Sequence, residues 1–184
     1  MVGLAASLGM QVLASLGAQT PGTQPEASAG APTQEWKTYS YPDDGFSASY
    51  PSEPQVTKRD VPTEKGSFEL RAYLAQDGET AMFVGVCDYG AAIAGTDPDD
   101  ALKGAENGAL SNSNAHLITD RKITLGIYHG LAYEGESDQA HFSAREYLVG
   151  TTLYQTLVVS SLGKPYDGTA RFLDSFQLIA RTAK

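Results

Sequence analysis

Three histidines, one cysteine and one tight acidic cluster are the residues of this 184-residue chain whose types and spacing could carry chemistry. His129 and His141 fall in two consecutive segments of alternating apolar and polar residues, Tyr128 to Glu136 and Gln139 to Val149, which read as a hairpin around Ser137-Asp138. A turn there sets His141 opposite Glu134 and leaves His129 five residues further along, about 17 Å away at about 3.3 Å per residue. No single ion bridges that gap, so the pair does not make a metal site. Each ring instead has a cross-strand carboxylate in reach, His141 with Glu134 and His129 with Glu146, and structural pairing is the expectation for both. His116 opens its own segment and has no sequence-local partner.

A serine or cysteine nucleophile would need one of these rings as its base. The chain holds no G-x-S-x-G elbow, no H-E-x-x-H, no C-x-x-C and no G-x-x-x-x-G-K-[ST] loop. The sequence therefore reads as a non-enzymatic protein, with no catalytic, cofactor-binding or metal-binding residue to nominate. Cys87 is the only cysteine, which excludes an intrachain disulfide and a multi-cysteine metal centre; in the run Ala81 to Cys87 it reads as a small buried hydrophobe. Asp97, Asp99 and Asp100 surround Pro98, a pattern that caps a helix better than it builds a calcium loop. Tyr39, Tyr41, Tyr50, Tyr147 and Tyr154 occupy strand positions, where aromatic packing across strands is the ordinary use and an exposed binding face the alternative.

The elements that must position these residues are mostly strands. Trp36 to Tyr41 and Phe46 to Tyr50 alternate on either side of the turn Pro42-Asp43-Asp44-Gly45, which predicts an opening hairpin. Val56 to Val61, Ser67 to Ala75 and Thr80 to Tyr89 are further strands, parted by Glu64-Lys65-Gly66 and Asp77-Gly78-Glu79. The period then changes. Thr96 or Asp97 caps a helix running to about Asn112, with Ala101, Ala105 and Ala109 on one stripe and Gly104 and Gly108 on the next, spacing that suits close packing on a sheet. His116 to Leu125 and Thr152 to Ser161 return to strand. A two-residue turn at Gly150-Thr151 sets Tyr147 against Tyr154 and Leu148 against Leu153, so both faces of the sheet carry large side chains and both need cover. Lys164 to Ser175 is expected to supply a second helix, followed by a short tail, Gln177 to Ala180. The fold class that follows is α+β, an antiparallel sheet sandwiched between helices.

Composition sets the domain limits. At about 150 residues per domain, the length allows one domain and a surplus. Residues 1–34 contain one charged side chain, Glu26. Residues 1–17 are short and apolar, with Ser15-Leu16-Gly17 as a cleavage pattern, and read as a signal peptide although a basic flank is missing. Residues 18–34, punctuated by Pro21, Pro25 and Pro32, read as a disordered linker, and residues 35–184 as a single domain. With a net charge of −9, nucleic acid is excluded as a partner.

The segments Tyr41-Pro42-Asp43-Asp44-Gly45-Phe46, Tyr50-Pro51 and Pro54, then Arg145-Glu146-Tyr147-Leu148-Val149-Gly150, Leu153-Tyr154-Gln155 and Phe172-Leu173-Asp174-Ser175-Phe176, together resemble bacterial PsbP-like proteins of the Mog1/PsbP type. The resemblance spans Trp36 to Leu178 and implies an antiparallel sheet between helices. It also implies a non-catalytic module that docks onto another protein. Plant members assist the oxygen-evolving photosystem and Mog1 binds a small GTPase, but no residue of either role has a match here. The expectation is an exported binding or assembly domain, periplasmic or extracellular, whose partner is another envelope or secreted protein, with no cofactor and no stable membrane span after processing. A small-ligand or metal carrier, and a hydrolase with an unrecognised His/carboxylate site, are the alternatives.

Overall fold

Alternation and turn chemistry resolve into strands with one long and one short helix. The computed structural model describes residues 35–63 and 66–182; the expected signal peptide and linker lie outside the described residues. In chain order the elements are β1 (Lys37–Tyr41), β2 (Phe46–Tyr50), β3 (Gln55–Thr63), β4 (Gly66–Asp77), β5 (Thr80–Asp88), a single 3-10 turn (Gly90–Ile93) and α1 (Pro98–Asn112). There follow β6 (His116–Leu125), β7 (Tyr128–Glu136), β8 (Ala140–Val149), β9 (Thr152–Ser161), α2 (Thr169–Ser175) and β10 (Gln177–Leu178). Seven strands form an antiparallel sheet in the order β3-β4-β5-β9-β8-β7-β6, and three form a second sheet, β1-β2-β10.

Both faces of the large sheet are covered, but by different materials. On one face lies α1, whose Ala101, Leu102, Ala105, Ala109 and Leu110 are buried against Leu131, Tyr133, Phe142 and Leu157. Small residues permit the close approach from both sides: a Cβ added at Gly135 of β7 would stand 2.6 Å from Leu110 Cδ2. Asp97 is the cap, its side chain accepting from the backbone N–H groups of Asp99 and Asp100. The other face is covered by the three-stranded sheet together with α2, around Phe46, Tyr50, Tyr73, Tyr147, Tyr154, Phe172 and Phe176. Tyr147 stacks on Phe176 with ring centroids 5.6 Å apart, and Phe46 meets Tyr73 edge-on at 4.8 Å.

This departs from the expected sheet between two helices. The fold is α+β and mostly antiparallel, but the second cover is chiefly a small sheet. The segment Lys164–Gly168 does not join α2: the Tyr166 hydroxyl donates to Asp77 Oδ2 at 2.6 Å, and helical structure starts only after Gly168. Pro165 and the glycines on either side disfavour earlier helix. The expected tail instead pairs with β2, Gln177 opposite Ser47 and Leu178 opposite Phe46, closing the small sheet. Its continuation is tied to the β1–β2 turn by the Ile179 N–H to Gly45 C=O and the Thr182 N–H to Pro42 C=O.

The two outer strands of the large sheet carry their own protection against edge pairing. β3 has Pro62 and the charged run Lys58-Arg59-Asp60, while β6 has Asp120-Arg121-Lys122 and a register irregularity between Leu117 and Thr119. Among the described residues no helix is long and apolar enough to cross a membrane.

Candidate functional site

The β7–β8 hairpin turns through three residues, Ser137 to Gln139, so the register differs from the two-residue expectation: His141 lies directly opposite Glu136, and Ser143 opposite Glu134. The ring still reaches the expected carboxylate. His141 Nε2 is 2.7 Å from Glu134 Oε2 and Nδ1 is 3.1 Å from Glu136 Oε1. Ser143 Oγ donates to Glu134 Oε2 at 2.7 Å, so its proton is directed at a carboxylate, not at the imidazole. With a carboxylate at each nitrogen, the ring is a bridge between Glu134 and Glu136 and presents no free nitrogen as a base. His116 is directly opposite Glu136 across β6 and β7.

The expected pairing of His129 with Glu146 is not found. Gly130 is opposite Tyr147, and Glu146 is opposite Leu131, so the two side chains are not cross-strand partners. His129 Nδ1 instead meets Asp99 Oδ1 of α1 at 2.9 Å. His129 and His141 lie on opposite faces of the sheet, since His129 is on the α1 side while Arg145, which shares a face with His141, bonds Asp174 of α2 at 2.6 Å. Cys87 is fully buried, as expected, and burial pushes its thiol up to about 11. Tyr50, Tyr147 and Tyr154 are buried, and Tyr39 and Tyr41 pack partly against them, so these tyrosines build core instead of an exposed aromatic face. Among the described residues, no group of three or more His, Cys, Asp or Glu side chains is placed to hold a metal ion.

A groove of about 440 Å³ lies between the first turns of α1 and the β6–β7 edge. Asp99, Asp100, Leu102 and Lys103 line one wall, Asp120, Arg121 and Lys122 the other, with Gly130 and Leu131 between. Ion pairs bridge it: Lys122 Nζ to Asp99 Oδ2 at 2.5 Å, and Lys103 Nζ to Asp120 Oδ2 at 2.7 Å. Lys122 holds Asp99 below the usual carboxylate range, with His129 assisting, and Lys103 does the same for Asp120. Exposed pairs of this kind add little to stability, because water and salt screen them. They can be exchanged for a partner's charges at little cost.

Behind this rim is a layer that sequence reading did not find. Glu106 of α1 and Glu146 of β8 are both 0 % exposed, and Gln155 of β9 is 1 % exposed. Gln155 Nε2 donates to Glu146 Oε1 at 2.7 Å, and the Tyr133 hydroxyl donates to the same oxygen at 3.2 Å. Lys103 Nζ donates to Glu106 Oε1 at 2.7 Å and so connects the layer to the groove. Burial pushes Glu146 up to about 8 against the opposing hydrogen bonds of Gln155 and Tyr133, and the charge of Glu106 adds to the rise. Burial also raises Glu106, with Lys103 opposing. The sequence signal for this layer is a charge out of place: Glu106 falls between Leu102 and Leu110, four residues from each, on an apolar stripe of α1.

No family model and no curated protein matches the chain. Among solved structures, it is similar to the solution structure of cyanobacterial PsbP (CyanoP) from Synechocystis sp. PCC 6803, with a TM-score of 0.55 and 14 % identity over 83 % of this chain and 98 % of that one. At that identity the likeness shows the fold alone: the chain has a PsbP-like fold.

Proposed function

We propose that this chain is a PsbP-like family protein whose non-catalytic domain docks onto another envelope or secreted protein outside the cytoplasmic membrane. The observation that carries the reading is the groove between α1 and the β6–β7 edge, walled by ion pairs that a partner can replace. The net charge of −9 favours a partner surface rich in Lys and Arg, because opposite fields speed encounter and fix orientation. Export is supported by the apolar segment 1–17 and the Pro-rich stretch 18–34. The test is photo-crosslinking in the native cell from Asp100 and Arg121 on the groove walls, with Asp138 on the distant β7–β8 turn as control, combined with fractionation and sequencing of the mature N-terminus. A discrete adduct from the groove positions in the envelope or medium is expected. Cytoplasmic location with equal labelling from all three positions overturns the reading.

A second cleft favours a small-ligand carrier as the alternative. It measures about 260 Å³ and brings the Arg181 guanidinium beside Tyr128, Val149, Tyr154 and Leu178. Arg181 Nη2 donates to the Tyr154 hydroxyl at 3.0 Å and to Thr152 Oγ1 at 3.4 Å, leaving other N–H groups for an organic anion. A thermal-shift screen of small carboxylates separates the readings, since only the carrier responds without a protein partner.

A further inference from the structure

The layer beneath α1 has more acceptors than donors. Oε2 of Glu106, Oε2 of Glu146 and Oε1 of Gln155 are buried without a hydrogen-bond partner among the described residues. An unsatisfied buried acceptor costs about 1–3 kcal/mol, and more when charged. The Tyr89 hydroxyl is a fourth buried atom without such a partner, but one hydroxyl does not satisfy three acceptors, so the layer is still short of donors. The charged and titratable groups facing the layer are Lys103 and Glu106 from α1, Asp120 from β6, Tyr133 from β7, Glu146 from β8, and Cys87 and Tyr89 at the end of β5. Fully ionised, the three carboxylates face one ammonium, and Lys103 already serves Glu106 and Asp120. Among the described residues, the side chains that act on Glu146 are Gln155, Tyr133 and Glu106, none of them a cation.

We propose that this layer is a binding site for a single proton, held between the free carboxyl oxygens of Glu146 and Glu106, that fastens α1 to the sheet. One proton added to Glu146 Oε2 turns an acceptor into a donor and lowers the buried charge by one. The new O–H donates to Glu106 Oε2, directly or through one buried water, so a single proton supplies the donor that two orphaned oxygens lack. Gln155 and Tyr133 hold the other oxygen of Glu146, which leaves Oε2 as the protonated one. The proton therefore ties a helix residue to a strand residue where α1 buries its carboxylate Glu106 against the sheet. Because α1 also walls the groove, any control of docking by this proton rests on the docking reading above; the proton site itself does not.

The test needs no partner. Carboxyl-carbon NMR of the full chain should show Glu146 protonated at pH 6 and titrating with a midpoint near 8, far above its ordinary 4.5. In E146Q, whose amide keeps a donor at that position, the pH dependence of folding due to this group should vanish. The wild-type unfolding constant should then rise relative to E146Q by about tenfold per pH unit between 4.5 and 8. Amide protection in α1 should fall with pH in the wild type relative to the variant. A Glu146 carboxyl already ionised at pH 6 overturns the proposal, as does an E146Q chain that folds with the wild-type pH profile. Were E146Q unfolded, the wild-type titration alone would decide. Failure of crosslinking with a midpoint near 8 would reject the docking reading and keep the proton site.

Discussion

Asp44 and Glu146 are both buried carboxylates, on opposite faces of the same sheet, and they are accommodated in different ways. Asp44 lies on the face covered by the small sheet and is ion-paired to the Arg71 guanidinium, while the Tyr73 hydroxyl donates to its other oxygen. Its backbone carbonyl accepts from the Tyr154 hydroxyl at 2.7 Å. Glu146 lies on the α1 face, with two neutral donors on one oxygen and none on the other. The first group has a full counter-ion and a hydroxyl donor to offset its burial. Without one, desolvation dominates the second and favours its neutral form.

The largest effects should come from the face where charge is paired and aromatic rings interlock. Asp44→Asn leaves Arg71 without its buried partner and should cost about 3–5 kcal/mol in urea denaturation; a loss under about 1 kcal/mol would remove the contrast with Glu146. Phe172→Ala empties a fully buried position beneath Tyr50 and should cost about 3–5 kcal/mol by the same measurement. On the α1 face the effect should instead depend on pH. Glu146 has a folded value raised from 4.5 to about 8, so its contribution is complete below 4.5 and is lost as pH rises toward 8, by about 1.4 kcal/mol per pH unit. Glu146→Gln should remove that slope, and calorimetry from pH 5 to about 9 would show the wild-type and variant curves diverging. Parallel curves would mean that the two faces treat charge alike.

Smaller changes sharpen the comparison at the edge of the α1 face. Asp97→Ala deletes the side chain that caps α1 and should cost about 1 kcal/mol, with hydrogen exchange rising first in the helix's opening turn. Lys122→Ala removes one exposed bridge across the groove and should leave the urea midpoint almost unchanged, the more so in high salt. A loss as large as that of Asp44→Asn would mean that the groove is structural and its ion pairs are not exchangeable.

Local chemistry made much of this legible from sequence. The bounds of β6, β7 and β9 follow period-two alternation between turn glycines, and the stop at Gly150-Thr151 sets Tyr147 opposite Tyr154. Asp97, Pro98 and the two following aspartates define the start of α1 because a helix's unpaired N–H groups are satisfied within one turn of chain. Three-residue turns are harder to read: Ser137 to Gln139 shifted the hairpin register, yet a long imidazole between two carboxylates absorbed the change and His141 kept Glu134 as a partner. Glu146 was different. Its sequence neighbours offered His129 as a partner, and the two do share the α1 face, but the register sets Glu146 opposite Leu131, and only the position of α1 determined that His129 would meet Asp99 and Glu146 would be sealed.

The sequence by itself determined strands β1 to β9, the main helix and its cap, the core role of Cys87 and the acidic net charge, because each depends on residues a few positions apart or on composition. Tertiary structure alone decided that Gln177–Leu178 would become a strand, that a small sheet would share the cover of one face with α2, and that two carboxylates would be buried together beneath α1. Those outcomes depend on which surfaces remain to be covered once the sheet has formed. Burial, and with it the charge state of Glu146, is a property of the layers that meet there and not of the segment in which the residue is written.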